Sequence, residues 1–146
     1  MSVIAFDGEI VAADRQGTCN DSRITVKKLR KLSDGTILAF CGTQSQGLLM
    51  AKWFADGADA AKFPESQTKE ESYATLIVFI GGRIFMYDKT TEPVEVLDKR
   101  FSQGIGRDFA IAAMEAGKNA IDAVKIASKF SVYCGMGVDY YRIKKG

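Results

Sequence analysis

Three short turns, each set between two apolar runs, do most to constrain how this chain can fold. Asp7-Gly8 separates Val3–Phe6 from residues 10–13, Ser33-Asp34-Gly35 separates 24–32 from 36–40, and Gly81-Gly82 separates 73–80 from Arg83–Tyr87. Residue pairs of this kind accept positive φ and send the chain back beside the strand it has just left. Each turn therefore predicts an antiparallel hairpin. Ile10-Val11-Ala12-Ala13 is apolar on both faces, so the second strand belongs in the middle of a sheet with material packed on either side. Residues 15–22 are polar and read as a loop, and 94–97 as a further short strand.

Between and after these hairpins the apolar period changes. Leu48, Leu49, Trp53 and Phe54 recur at helical spacing from Ser45 to Asp56-Gly57, and a connecting loop with Pro64 follows over 57–71. Residues 107–117 form an alanine-rich helix closed by Gly117. Asn119 caps another helix running to Lys129, with Asp122 near its positive end. Residues 132–143 finish as strands interrupted at Gly135 and Gly137. Strands that arrive as hairpins rather than alternating with helices predict an α+β architecture of antiparallel sheets covered by helices. With 146 residues and no repeats or linker, the chain is expected to be a single domain, 1–146.

Composition removes whole classes of function. Hydrophobic residues make up 47% and charged residues 26%, with a net charge of +2, which gives no reason to expect a nucleic-acid partner. No apolar run is long enough for a membrane span, and no signal peptide is recognisable at the start. Three cysteines, Cys19, Cys41 and Cys134, have no paired spacing, which fits a reduced, cytoplasmic compartment. Histidine is absent, so Ser-His-Asp and Cys-His nucleophile activation are excluded, and neither a metal site nor a cofactor is expected. A carbonyl-attacking enzyme built from this chain must pass its proton to a lysine, a carboxylate or its own α-amine. Ser2 is placed for the last of these once Met1 is removed. A binding reading also exists: Lys27, Lys28, Arg30 and Lys31, with Gly104-Ile105-Gly106 before a helix, could hold an anion, although the charges fall on both faces of a strand.

Five stretches carry a resemblance. GEIVAADRQ, TVKKL and FCGTQSQG, then QGIGRDFAIAAM and CGMGVDYYRI, resemble in order the corresponding segments of proteasome β subunits and the bacterial HslV peptidase. A proteasome α subunit fits less well, because nothing before Val3 corresponds to its extra helix. The resemblance implies the N-terminal-nucleophile hydrolase fold, a four-layer αββα sandwich of two antiparallel sheets between helix layers. It implies Ser2 as nucleophile with its α-amine as base, Lys28 tuning the nucleophile, Asp14 holding Lys28, and the Gly42 backbone N–H (or that of Cys41) as oxyanion donor. It also implies a homo-oligomeric ring, a peptide or unfolded-protein substrate, and a possible ATPase unfoldase partner. Cys41 itself reads as a buried structural cysteine.

The pattern is broken in three places. Where the family carries a serine between two glycines this chain has Ile105, and Ser131 and Cys134 occupy the two supporting positions nearer the C-terminus. The first hairpin is also short. A two-residue turn at Asp7-Gly8 pairs Phe6 with Glu9, sets Met1 opposite Asp14 and leaves Ser2 short of the cleft. Two states of one fold are therefore expected as alternatives: an active peptidase subunit, and a catalytically silent ring-forming, scaffold or decoy subunit.

Overall fold

The structure, a computed structural model, describes residues 2–65 and 74–143. Met1 and Tyr73, which enter two of the expectations above, lie outside the described residues, as does the 66–71 part of the connecting loop. In chain order the elements are β1 (Val3–Phe6), β2 (Ile10–Asp14), β3 (Gln16–Cys19), β4 (Ser22–Thr25), β5 (Leu29–Lys31) and β6 (Ile37–Gly42). Then come α1 (Gln44–Ala55), a 3₁₀ turn (Ala60–Lys62), β7 (Ala74–Ile80), β8 (Arg83–Tyr87), β9 (Val94–Val96) and β10 (Phe101–Gly104). The chain ends with α2 (Arg107–Glu115), α3 (Ala120–Phe130) and β11 (Val138–Arg142).

Two antiparallel sheets face each other, ordered β10-β1-β2-β11 and β5-β6-β7-β8-β9. Alternation along each strand builds the layers. Val3, Ala5, Ile10 and Ala12 point outward onto α2 and α3, against Ala110, Met114, Ala123 and Val124. Ile4, Phe6, Val11 and Ala13 point inward and meet Ile37, Ala39, Ile77 and Phe79 of the second sheet. Leu38, Leu76 and Val78 face the other way, onto Met50 and Ala51 of α1. The result is helix, sheet, sheet, helix: the four-layer sandwich. As expected, β2 is central and buried along its whole length.

Several local features differ from the sequence reading, among them the C-terminal segment, where residues 132–137 are turns and bends and only Val138–Arg142 is strand. Of the others, the first concerns the Asp7-Gly8 turn. The Asp7 carboxylate accepts the backbone N–H groups of Glu9 and Ile10, both at 2.8 Å, and its second oxygen accepts the N–H of Ala120 at 2.8 Å. This side-chain-to-backbone turn takes residues 7–10 out of the ladder and pairs Phe6 with Val11 instead of Glu9. The register therefore slides by two residues. Continued from Ile4 opposite Ala13, it brings Val3 opposite Asp14 and carries Ser2 one step beyond the aspartate.

The second difference is that 15–22 is not a loop: β3 and β4 form a separate hairpin, Gln16 opposite Thr25 and Cys19 opposite Ser22. Its turn includes Asn20 at φ 55°, a left-handed conformation that asparagine tolerates. The third is that 24–32 is not one strand. The Val26 N–H donates to the Arg15 carbonyl at 2.7 Å, and Lys28 turns its side chain into the protein before β5 begins. A strand alternating only for solvent would have no reason to break there. The Phe101–Gly104 strand had no sequence signal beyond its glycines; it pairs with β1 and closes one edge of the first sheet.

Candidate active site

Asp14 ends β2 with its side chain completely buried. Its Oδ1 accepts the Val3 N–H at 3.0 Å and Lys28 Nζ at 2.8 Å, and its Oδ2 accepts the N–H groups of Gln16 at 3.2 Å and Gly135 at 3.1 Å. A buried carboxylate is tolerated when every oxygen is answered in this way. The ion pair is therefore held by four separate segments of chain. Lys28 has little choice of direction, since its carbonyl accepts the Phe40 N–H at 3.2 Å and Leu29 beside it sits in the inter-sheet core.

Ser2 lies on the far side of this pair. It is only 1% exposed, its carbonyl accepts the Gly106 N–H at 3.2 Å, and its Oγ is buried with no hydrogen-bond partner. Gly104 presses on the same peptide: a Cβ there would overlap the Ser2 carbonyl, and its φ of +98° already favours glycine. At Gly106 a Cβ would come within 3.0 Å of Cys134 Sγ and 2.9 Å of Val3. Gly104 is thus required by close backbone approach and Gly106 by close side-chain packing, and together they clamp the start of β1.

Ser2, Lys28 and Gly42 line one cleft of about 740 Å³, with Cys41, Thr43 and the β3–β4 hairpin forming its walls. Gly42 ends β6 at φ +101°, where the chain turns into α1 with Thr43 as N-cap. α1 begins at this wall, and Gly47 lets it lie on β6, since a Cβ at Gly47 would run into the Phe40 ring. The positive end of a helix dipole and the Lys28 ammonium thus share one side of the cleft.

The other expected residues fall elsewhere. Ile105 is 44% exposed and Ser131 hydrogen-bonds locally, its Oγ accepting the Tyr133 N–H at 3.3 Å; neither lines the cleft. Lys27, Arg30 and Lys31 are exposed while Lys28 is buried, so the basic run is not one continuous anion-binding face. Burial pushes the Cys41 thiol up to about 11, overriding the opposing pull of Lys28, which fits a structural cysteine rather than a thiolate nucleophile. Burial also raises the Cys134 thiol, and the Asp14 charge adds to that. Among the described residues no cluster of ligating side chains could hold a metal ion, and no helix is long and apolar enough to cross a membrane.

Two participants were not singled out by the sequence reading. The Gly135 N–H reaches Asp14 from 121 positions away, a backbone donor with no side chain to announce it. Gln16, 2% exposed, also lines the cleft; its Nε2 donates to the Val132 carbonyl at 3.0 Å and its Oε1 has no partner. It lay in the polar 15–22 stretch that reads as a loop, so nothing in the sequence set it apart.

No protein-family model matches the chain, and no curated protein matches it in sequence. Solved structures do. Thiobacillus denitrificans BPH superposes with a TM-score of 0.76 at 18% identity, covering 100% of this chain and 99% of that one. The same protein in complex with epoxomicin gives 0.75 at 17%, with both chains fully covered. Eukaryotic HslV from Trypanosoma brucei gives 0.70 at 22%, covering 97% of each chain. Agreement along essentially the entire length, at an identity too low to carry activity across, identifies an architecture: this chain has the proteasome β-subunit and HslV fold.

Proposed function

We propose that the chain is a subunit of a self-compartmentalising peptidase, assembled as a homo-oligomeric ring, in which Ser2 becomes the N-terminal nucleophile when Met1 is removed. The observation that carries this reading is the unpartnered, buried Ser2 Oγ in a cleft shared with the Asp14–Lys28 pair and Gly42. The register of β1 against β2 supports it, because it advances Ser2 beyond Asp14. In this reading the neutral α-amine of Ser2 takes the Oγ proton as Oγ attacks the substrate carbonyl carbon. The Lys28 ammonium lowers the cost of forming the alkoxide, and a backbone N–H at Gly42 receives the oxyanion. Collapse of the adduct breaks the peptide C–N bond, and the leaving amine takes the proton from the α-ammonium. Water, deprotonated by the same amine, then hydrolyses the Ser2 ester and regenerates the hydroxyl. Peptides or unfolded proteins would be the substrates, delivered by an ATPase unfoldase if one docks on the ring.

A silent ring or scaffold subunit is the second reading, and one observation favours it. Ile105 is exposed and outside the cleft lining, and Ser131 is engaged locally, so neither orders the Ser2 hydroxyl. Epoxomicin, which the Thiobacillus protein binds, separates the two. For the active subunit, intact mass shows Met1 lost and one inhibitor added, and Ser2→Ala abolishes both labelling and peptide hydrolysis. Full loss of Met1 with no labelling and no Ser2-dependent hydrolysis assigns the silent role.

A further inference from the structure

The cleft holds a second buried polar atom with nothing to bind. Gln16 is fixed at both ends: its backbone N–H donates to Asp14 Oδ2 at 3.2 Å and its Nε2 to the Val132 carbonyl at 3.0 Å. That second bond orients the amide and leaves Oε1 as a carbonyl acceptor inside the protein with no donor. A buried acceptor in that state is unfavourable unless something supplies the missing hydrogen bond. Oε1 lies 3.1 Å from where a Cβ on Gly135 would stand, and the Gly135 N–H binds the same Asp14 carboxylate that receives the Val3 N–H at 3.0 Å. Gln16 and Ser2 line the same cleft, and each holds a buried polar atom without a partner there.

We infer that Gln16 is a positioning residue: its Oε1 accepts one N–H of the Ser2 α-amine that is freed when Met1 leaves. The inference rests on the N-terminal-nucleophile reading and deepens it. A neutral amine has two N–H bonds and one lone pair. Holding an N–H against Oε1 turns the lone pair toward Oγ, the orientation needed to take its proton. It also supplies from β3 a polar contact that Ile105 and Ser131 leave unmade. An amide suits the task better than a carboxylate, because an anion there would hold the amine protonated and unable to act as base. The charged and titratable groups around this part of the cleft are Asp14 on β2, Lys28 before β5, Cys41 on β6 and Cys134 beside Gly106.

The test uses full-length chain released from a cleavable N-terminal fusion so that it begins at Ser2. The unsubstituted protein is compared with Gln16→Glu and Gln16→Met, each first checked by thermal melting. Two quantities are followed against pH: acylation of the Ser2 α-amine by an amine-selective ester, read by mass on the N-terminal peptide, and peptide hydrolysis. Gln16→Glu should move the amine-acylation midpoint up by roughly one pH unit. Gln16→Met should lower kcat by roughly tenfold to a hundredfold with KM little changed. An unmoved acylation midpoint in a folded Gln16→Glu protein overturns the inference, as does a Gln16→Met effect confined to KM, which would make Oε1 a substrate contact. If no variant hydrolyses peptide but the acylation midpoint still moves, the peptidase reading fails while the Gln16 contact stands.

Discussion

Removing either partner of the Asp14–Lys28 pair should destabilise the protein, but by unequal amounts, and the inequality follows from the hydrogen bonds. Lys28→Met takes away one of the four donors to Asp14 and leaves three backbone N–H groups on the carboxylate. Breaking a buried pair typically costs about 3–5 kcal/mol when the surviving charge is uncompensated. Three remaining N–H donors compensate part of that, so about 2–3 kcal/mol is expected. Asp14→Ala does more damage. It strands the N–H groups of Val3, Gln16 and Gly135 at about 1 kcal/mol or more each, and it removes the carboxylate from a buried ammonium. The sum, upwards of about 5 kcal/mol, reaches the lower end of the whole stability of an ordinary domain. Urea denaturation followed by tryptophan fluorescence reads both, since Trp53 is buried between Phe63 and Tyr87. Lys28→Met should shift the midpoint and remain cooperative, whereas Asp14→Ala should be largely unfolded or aggregated when made. Equal midpoints for the two variants, or a loss below about 0.5 kcal/mol in either, would refute the view that the carboxylate organises the site.

The β1 clamp makes a sharper steric forecast: Gly104→Ala should cost more than about 2 kcal/mol in thermal or urea unfolding, because the new methyl meets the Ser2 carbonyl and φ stays at +98°. A Gly35→Ala control has open space at the same sign of φ and should cost only about 1 kcal/mol. The thiols should separate by reactivity. Exposed Cys19 alkylates with iodoacetamide at pH 8 within minutes, while buried Cys41 stays protected until the protein unfolds, as peptide mass mapping will show. Because the folded Cys41 thiol is raised from 9.0 to about 11, its contribution to stability is complete below pH 9 and is lost as pH rises toward 11. Cys41→Ala should flatten that part of the stability profile, and an unchanged alkaline slope would count against the assignment.

Apolar runs set between turns, with one change to helical spacing, were enough to reveal antiparallel sheets covered by helices, while the four-layer order followed from the family resemblance. The apolar runs 3–6, 10–13 and 74–80 and the helical spacing after Ser45 are what the two sheets and α1 use. What stayed hidden was set by backbone. Asp7-Gly8 looks like a two-residue turn, yet the Asp7 carboxylate captures two N–H groups and a helix start, lengthening the turn and shifting every partner in the ladder. That shift decided whether Ser2 reached the cleft at all. Asp14 and Lys28 could be singled out only because GEIVAADRQ and TVKKL resemble family segments that carry an aspartate and a lysine in those places. Gly135 and the break at 26–28 could not, since a backbone donor leaves no chemical signature and a lysine on a strand looks solvated. Gln16 stood in a stretch that composition alone marked as loop, where polar residues attract no notice.

The hydrogen bonds to Asp14 span sequence separations of 2, 11, 14 and 121 residues. The first three can close while the N-terminal hairpins are forming, but the last waits for Gly135, near the far end of the chain. Contacts of such long range close late, since the entropy of ordering the intervening chain must be met first. On the ribosome the delay is unavoidable, because residue 135 has not been made while the first sheet is nucleating. One carboxylate thus ties completion of the cleft to synthesis of the chain through residue 135, so a chain stopped short of it does not yet carry a finished site.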